Sequence, residues 1–192
     1  MLFRSKSPTA TASYLLTDST TKGYWLHAYG TTGSIIPLDA SHLPAYASVN
    51  FRSSAKTWNW APGGTKDPRA LLLYGSRTKR IASTFYNSPG FSVDINLTDG
   101  YPHRLAMYFA DFDKLGRAET IAIRDAASGT LLDTRSLASF SNGEYLVWQV
   151  KGHMIVQVTS QNALNAIVNG LFFDSVKPAR TFRSLESTFG RR

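Results

Sequence analysis

Apolar and polar side chains alternate with a period of two through most of residues 45–174. Phe91, Val93, Ile95 and Leu97 alternate with Ser92, Asp94 and Asn96; Leu105, Met107 and Phe109 alternate with Ala106, Tyr108 and Ala110; Met154, Val156 and Val158 alternate with Ile155, Gln157 and Thr159. That period is the signature of a strand with one buried face, and it excludes a helix over the same residues. The runs are punctuated by turn chemistry: Asn87-Ser88-Pro89-Gly90, Thr98-Asp99-Gly100, Ser128-Gly129, Ser141-Asn142-Gly143 and Lys151-Gly152. Strands are expected near 23–29, 33–36, 46–51, 56–60, 70–74, 80–86, 91–97, 103–110, 118–125, 130–137, 144–150, 153–160 and 166–174, with the three alternating runs half-buried. So many short strands exceed an immunoglobulin-type sandwich and suit a two-sheet antiparallel β-sandwich of jelly-roll type.

With 192 residues the chain suits one domain. The expected organisation is an N-terminal tail over 1–13, a β-sandwich over 14–176 and a basic C-terminal tail over 177–192. Of the formal +8, the tails hold +6 and the body +2, so the overall charge is no argument for nucleic-acid binding. The one dense basic run in the body, Arg77-Thr78-Lys79-Arg80, falls at an expected hairpin turn. Residues 1–8 contain no apolar core of a signal peptide, and no uncharged apolar run reaches membrane-spanning length. In the C-terminal tail Phe182, Leu185 and Phe189 share one face of a short helix, either lying on the domain or docking a protein partner through residues 178–192.

With no cysteine, disulfides, thiolate metal sites and cysteine nucleophiles are excluded. His27, His42, His103 and His153 are isolated, and no nucleophile elbow or phosphate-binding glycine loop occurs. Chemistry concentrates instead in the segment Asp111-Phe112-Asp113-Lys114-Leu115-Gly116-Arg117-Ala118-Glu119. Leu115 and Ala122 stand where an EF-hand needs oxygen ligands, so that motif is absent. Three readings stay open for it: a calcium site using Asp111, Asp113 and Glu119, a catalytic carboxylate pair, or a structural Asp–Arg pair with Arg117.

Just after the strand expected at 56–60, Asp67 and Arg69 flank Pro68 and offer an acceptor and a fork of donors suited to sugar hydroxyls or to tying down the loop. Trp58 and Trp60 lie two residues apart on one strand face, roughly 6 to 7 Å from each other. Turned inward they anchor the core, which is the ordinary fate of such rings; turned outward they form a platform for pyranose rings.

A series of short motifs spans residues 14–174: Gly23-Tyr24-Trp25, Leu43-Pro44-Ala45-Tyr46-Ala47, Trp58-Asn59-Trp60, Asp67-Pro68-Arg69-Ala70-Leu71, Asp94-Ile95-Asn96-Leu97-Thr98-Asp99-Gly100, Tyr145-Leu146-Val147-Trp148-Gln149-Val150-Lys151-Gly152-His153 and Gly170-Leu171-Phe172-Phe173-Asp174. It resembles the galactose-binding-like jelly-roll modules of bacterial multidomain extracellular proteins, of carbohydrate-binding-module type. The resemblance implies an extracellular or cell-surface, noncatalytic module that binds a glycan or polysaccharide or acts in adhesion, often with a structural calcium ion. The sugar contacts are then expected from Trp58, Trp60, Asp67, Arg69 and Arg117, and the calcium shell from Asp111, Asp113 and Glu119. Two alternatives stand beside this reading: a glycan hydrolase or lyase using Asp111, Asp113 or Glu119, and an assembly module docking through residues 178–192.

Overall fold

The computed structural model describes residues 9–52 and 55–176. The C-terminal segment proposed to be helical, with its docking face, lies outside the described residues. Strands run in the order β1 (Thr11–Asp18), β2 (Gly33–Ile35), β3 (Ser41–His42), β4 (Ala47–Phe51), β5 (Lys56–Asn59), β6 (Leu71–Leu72), β7 (Arg80–Ile81) and β8 (Ser83–Asn87), then β9 (Gly90–Leu97), β10 (His103–Phe109), β11 (Ala118–Asp125), β12 (Leu131–Ala138), β13 (Glu144–Lys151), β14 (His153–Ser160), β15 (Ala166–Val168) and β16 (Gly170–Ser175). Among the described residues there is no helix long and apolar enough to cross a membrane.

Two large sheets dominate, ordered β1-β13-β10-β16-β2-β3 and β12-β11-β14-β9-β4, with every pairing antiparallel. From β9 to β16 the chain repeatedly crosses between them, the connectivity of a jelly roll. Their facing sides make one apolar core: Phe91, Val93, Ile95, Ile121, Ile123, Val156 and Val158 from the five-stranded sheet meet Leu105, Met107, Phe109, Trp148, Val150, Leu171 and Phe173 from the six-stranded one. In β9, β11 and β14 the expected alternation is realised, with buried and partly exposed residues taking turns.

The half-buried expectation fails for β10, which like β13 and β16 is buried on both faces over most of its length. The reason is a second core on the outer face of the six-stranded sheet. There Ala106, Tyr108, Tyr145, Val147 and Phe172 are covered by Trp25, Tyr29, Ile36, Leu71 and Leu72. Trp25 is 2% exposed, and sealing such a ring away from water contributes about 3 kcal/mol. Its indole N–H donates to the Leu72 carbonyl at 2.8 Å, while the Tyr108 hydroxyl donates to the Arg69 carbonyl at 2.8 Å and the Tyr145 hydroxyl to that of Lys22, so no polar tip is left dry. Gly143 is required here: it sits at φ +86°, and an added Cβ would come 2.0 Å from the Tyr108 hydroxyl oxygen.

Several element boundaries differ from expectation for local reasons. Residues 23–29 are a turn, with the Tyr29 N–H donating to the Trp25 carbonyl at 2.8 Å and Lys22 and His27 in the left-handed region. Residues 166–174 split into two strands at Asn169, whose buried amide accepts from the Ala110 N–H at 2.6 Å and donates to the Ser83 carbonyl at 2.9 Å. Residues 11–13, expected in a tail, open β1, which pairs along β13 and is clamped at its start because Asp125 accepts from the backbone N–H of Thr9 and of Ala10. In the β6–β7 hairpin Arg80 is buried, donating to the Ala70 carbonyl at 2.7 Å beneath the Tyr24 ring.

Candidate functional site

A small third sheet, β15-β8-β5, leans on one end of the sandwich. The register pairs Lys56 with Tyr86 and Trp58 with Thr84, and the Trp60 N–H donates to the Ala82 carbonyl. Residues paired across an antiparallel ladder share a face. Trp58, Trp60, Thr84 and Tyr86 therefore line one wall of a cleft of ≈190 Å³, closed on the other side by Asp113, Arg117 and Asn165. Trp58 is 53% exposed at the lip. Trp60 is partly buried and stacks on Phe112 with ring centroids 5.8 Å apart.

Behind the rings, cation and aromatic alternate: the Arg69 guanidinium lies 4.4 Å from the Phe112 centroid, Phe112 stacks on Trp60, and Arg117 lies 5.9 Å from the Trp60 centroid. Such contacts hold the Trp60 plane without a covalent restraint.

The loop of residues 111–117 is shaped by Asp111, which accepts backbone N–H bonds from Leu115 at 3.3 Å, Gly116 at 2.8 Å and Arg117 at 3.2 Å. Arg117 sits in the middle of this wrap. Its Nη1 donates to both Asp111 and Asp113, its Nη2 to Asp113 at 3.3 Å, and its Nε and Nη2 to Oδ1 of Asn165 at 3.2 and 3.1 Å. Partial burial works against ionisation of Asp113, but the Arg117 and Trp60 donors outweigh it and hold the carboxyl below the usual carboxylate range.

Of the three readings open for this segment, the Asp–Arg pair is the one the loop is built on. Asp111 and Asp113 converge on a guanidinium, and Glu119 points elsewhere: Oε1 accepts from the Ile167 N–H at 2.8 Å, Oε2 has no partner, and burial pushes the carboxyl up to about 8. Among the described residues no three His, Cys, Asp or Glu side chains are grouped so as to hold a metal ion.

Asp67 and Arg69 also find each other, at 2.7 Å, and Arg69 donates further to the carbonyls of Phe112 and Ser141 at 3.2 and 2.8 Å. They tie three loops together at this end of the sandwich and stand behind the cleft rather than in its wall. The expected sugar contacts Trp58, Trp60 and Arg117 are thus gathered around one cleft together with Asp113, while Asp67 and Arg69 support it from behind. Tyr86, Thr84 and Asn165 were not anticipated in it. The strand expected at 80–86 contained Tyr86, but which strand it would pair with was not written in the sequence.

No protein-family model matches this chain, and no curated protein does. Seven solved chains are similar in structure. One is the module TmCBM61 in complex with β-1,4-galactotriose, at 12% identity and a TM-score of 0.36, covering 67% of this chain and 88% of that one. A family 35 carbohydrate-binding module from Clostridium thermocellum has 14% identity and a TM-score of 0.36, covering 69% of this chain and 100% of its own. A third is the Clostridium thermocellum endo-1,4-β-D-xylanase 10B fragment, with CBM22-1 and GH10 modules, complexed with xylohexaose; it has 5% identity and a TM-score of 0.42 over 79% of this chain and 29% of that one.

Proposed function

We propose that this chain is a noncatalytic carbohydrate-binding module whose ligand sits in the cleft of Trp58, Trp60 and Tyr86. The observation that carries the reading is Trp58: a large ring held 53% exposed on a strand, beside a second ring fixed in place and a wall of ordered polar groups. An apolar plane bordered by a few placed hydrogen-bonding groups is what the two faces and the hydroxyl rim of a pyranose require.

Hydrolysis or elimination is disfavoured by the same geometry. A glycosidase needs two carboxyl groups flanking the bond to be broken. Here Asp113 is the one carboxylate in the cleft lining, while Asp111 and Glu119 are buried, one on Arg117 and one on the Ile167 backbone. On this reading the module belongs on an exported or surface protein, where structural polysaccharides are met. A glycan array followed by calorimetry on the hits tests the function; a folded protein that retains no glycan, or whose binding is untouched by Trp58→Ala, removes this reading.

A further inference from the structure

The polar side of the cleft narrows the glycan class, on the premise that the cleft binds a glycan at all. A guanidinium offers five N–H donors. In Arg117 the two on Nη1 go to Asp111 and Asp113, and Nε and Nη2 serve Asn165 and Asp113. Its side chain is 5% exposed. No donor on the cleft's only arginine remains for a ligand, so a carboxylate or sulfate entering here meets no free cation in the lining. It meets Asp113, ionised and 30% exposed at its side chain.

Arg117 also settles the orientation of Asn165. Oδ1 has to face the guanidinium, because a guanidinium only donates, and this turns the two N–H donors of Nδ2 the other way. No acceptor among the described residues takes them. Oδ2 of Asp113 and Oδ1 of Asn165 lie 3.3 and 3.1 Å from Nη2 of Arg117, and Nδ2 is a further ~2.3 Å from Oδ1, so the acceptor and the donor lie at most roughly 9 Å apart. Two neighbouring hydroxyls on one sugar ring span such a gap when each adds one hydrogen bond.

We infer that the cleft selects an uncharged sugar with two adjacent hydroxyls, one donating to Asp113 and the other accepting from Nδ2 of Asn165, and that it rejects uronate-bearing and sulfated glycans. Trp58 supplies the apolar face of the same ring. Arg117 acts as a positioning residue that orients both polar partners without touching the sugar. Lys56 shares the Trp58 face of β5, two residues away, but does not line the cleft.

The test is titration of wild type, Trp58→Ala, Asp113→Asn, Asn165→Asp and Lys56→Gln, each first shown to be folded by circular dichroism. The neutral probes are xylohexaose, cellohexaose, mannohexaose and β-1,4-galactotriose; the acidic probe is trigalacturonate. Both are measured at about 20 mM and about 300 mM NaCl, because screening weakens charge effects at the higher salt. A neutral probe is expected to bind through Trp58, with trigalacturonate at least tenfold weaker at low salt and the gap narrowing at high salt. Asp113→Asn narrows the low-salt gap, Asn165→Asp weakens the neutral probe about tenfold through loss of its donor, and Lys56→Gln leaves the preference unchanged. Equal or tighter binding of trigalacturonate at low salt, or neutral binding indifferent to Asn165→Asp, overturns the inference and leaves the carbohydrate reading standing. Failure of every probe, or binding indifferent to Trp58→Ala, overturns both.

Discussion

Replacing Glu119 by Gln removes a pH dependence of folding that the buried carboxyl imposes. In the folded protein burial raises this carboxyl from 4.5 to about 8. Between those values the native state holds a proton that the unfolded chain has released. The stability this group contributes is therefore complete below pH 4.5 and is lost as pH rises toward 8, with a slope of about 1.4 kcal/mol per pH unit. Between pH 5 and 7.5 that is about 3 kcal/mol, a large part of the stability of an ordinary domain.

Gln keeps the acceptor for the Ile167 N–H but places an extra donor where no acceptor waits, an offset of about 1 to 3 kcal/mol that does not vary with pH. Other titrating groups act alike in both proteins and cancel in the difference. Urea unfolding followed by tryptophan fluorescence from pH 5 to 7.5 is the assay. The expected result is a variant less stable than wild type at pH 5 that gains on it steadily toward neutrality. Parallel stability profiles would refute the argument, since they would mean that Glu119 is either ionised in the native state or solvated.

Trp58→Ala lowers glycan affinity at least tenfold while changing unfolding free energy by less than about 1 kcal/mol, since half of the ring is already in water; calorimetry and urea melts separate the two effects. Arg117→Met strands Asp111, only 2% exposed, without its charge partner and is expected to destabilise the fold by about 3 to 5 kcal/mol, read in the same urea melts. Because a guanidinium occupies the place where Asp111 and Asp113 converge, millimolar calcium or a chelator is expected to shift Tm by less than about 1 °C in differential scanning fluorimetry, and a rise of several degrees with calcium would contradict that arrangement.

The strands of the five-stranded sheet were legible because their outer face meets water, so that Ser92, Asp94 and Asn96 are forced to alternate with Phe91, Val93 and Ile95. In the six-stranded sheet Ala106 and Tyr108 face away from the central core, and a small residue and a tyrosine are compatible with either solvent or cover. What decides is the segment carrying Trp25 and Tyr29, whose backbone runs as a turn although its composition reads as a strand. The site divides in the same way. The paired tryptophans and the Asp–Arg spacing are local and could be read directly. Tyr86 and Asn165 reach the cleft through the β5–β8 and β8–β15 registers, which depend on long connections and carry no short-range signature. Asp67 and Arg69 had the right chemistry for a sugar, but nothing in the sequence showed that the carbonyls of Phe112 and Ser141 would claim that arginine.

The second core has a consequence for scale. With Trp25, Tyr29 and Leu72 seated on the broad outer face of the six-stranded sheet, that expanse is closed to a long polymer lying flat across it. On the proposed reading the ligand sits instead in the ≈190 Å³ cleft between the β5–β8 ladder and the loop of residues 111–117, a site that grips a ring or two of a chain rather than a length of it. A grip that short yields modest strength per copy, so firm attachment to a polymer surface calls for several such modules in tandem, where each bound copy raises the local concentration of the next.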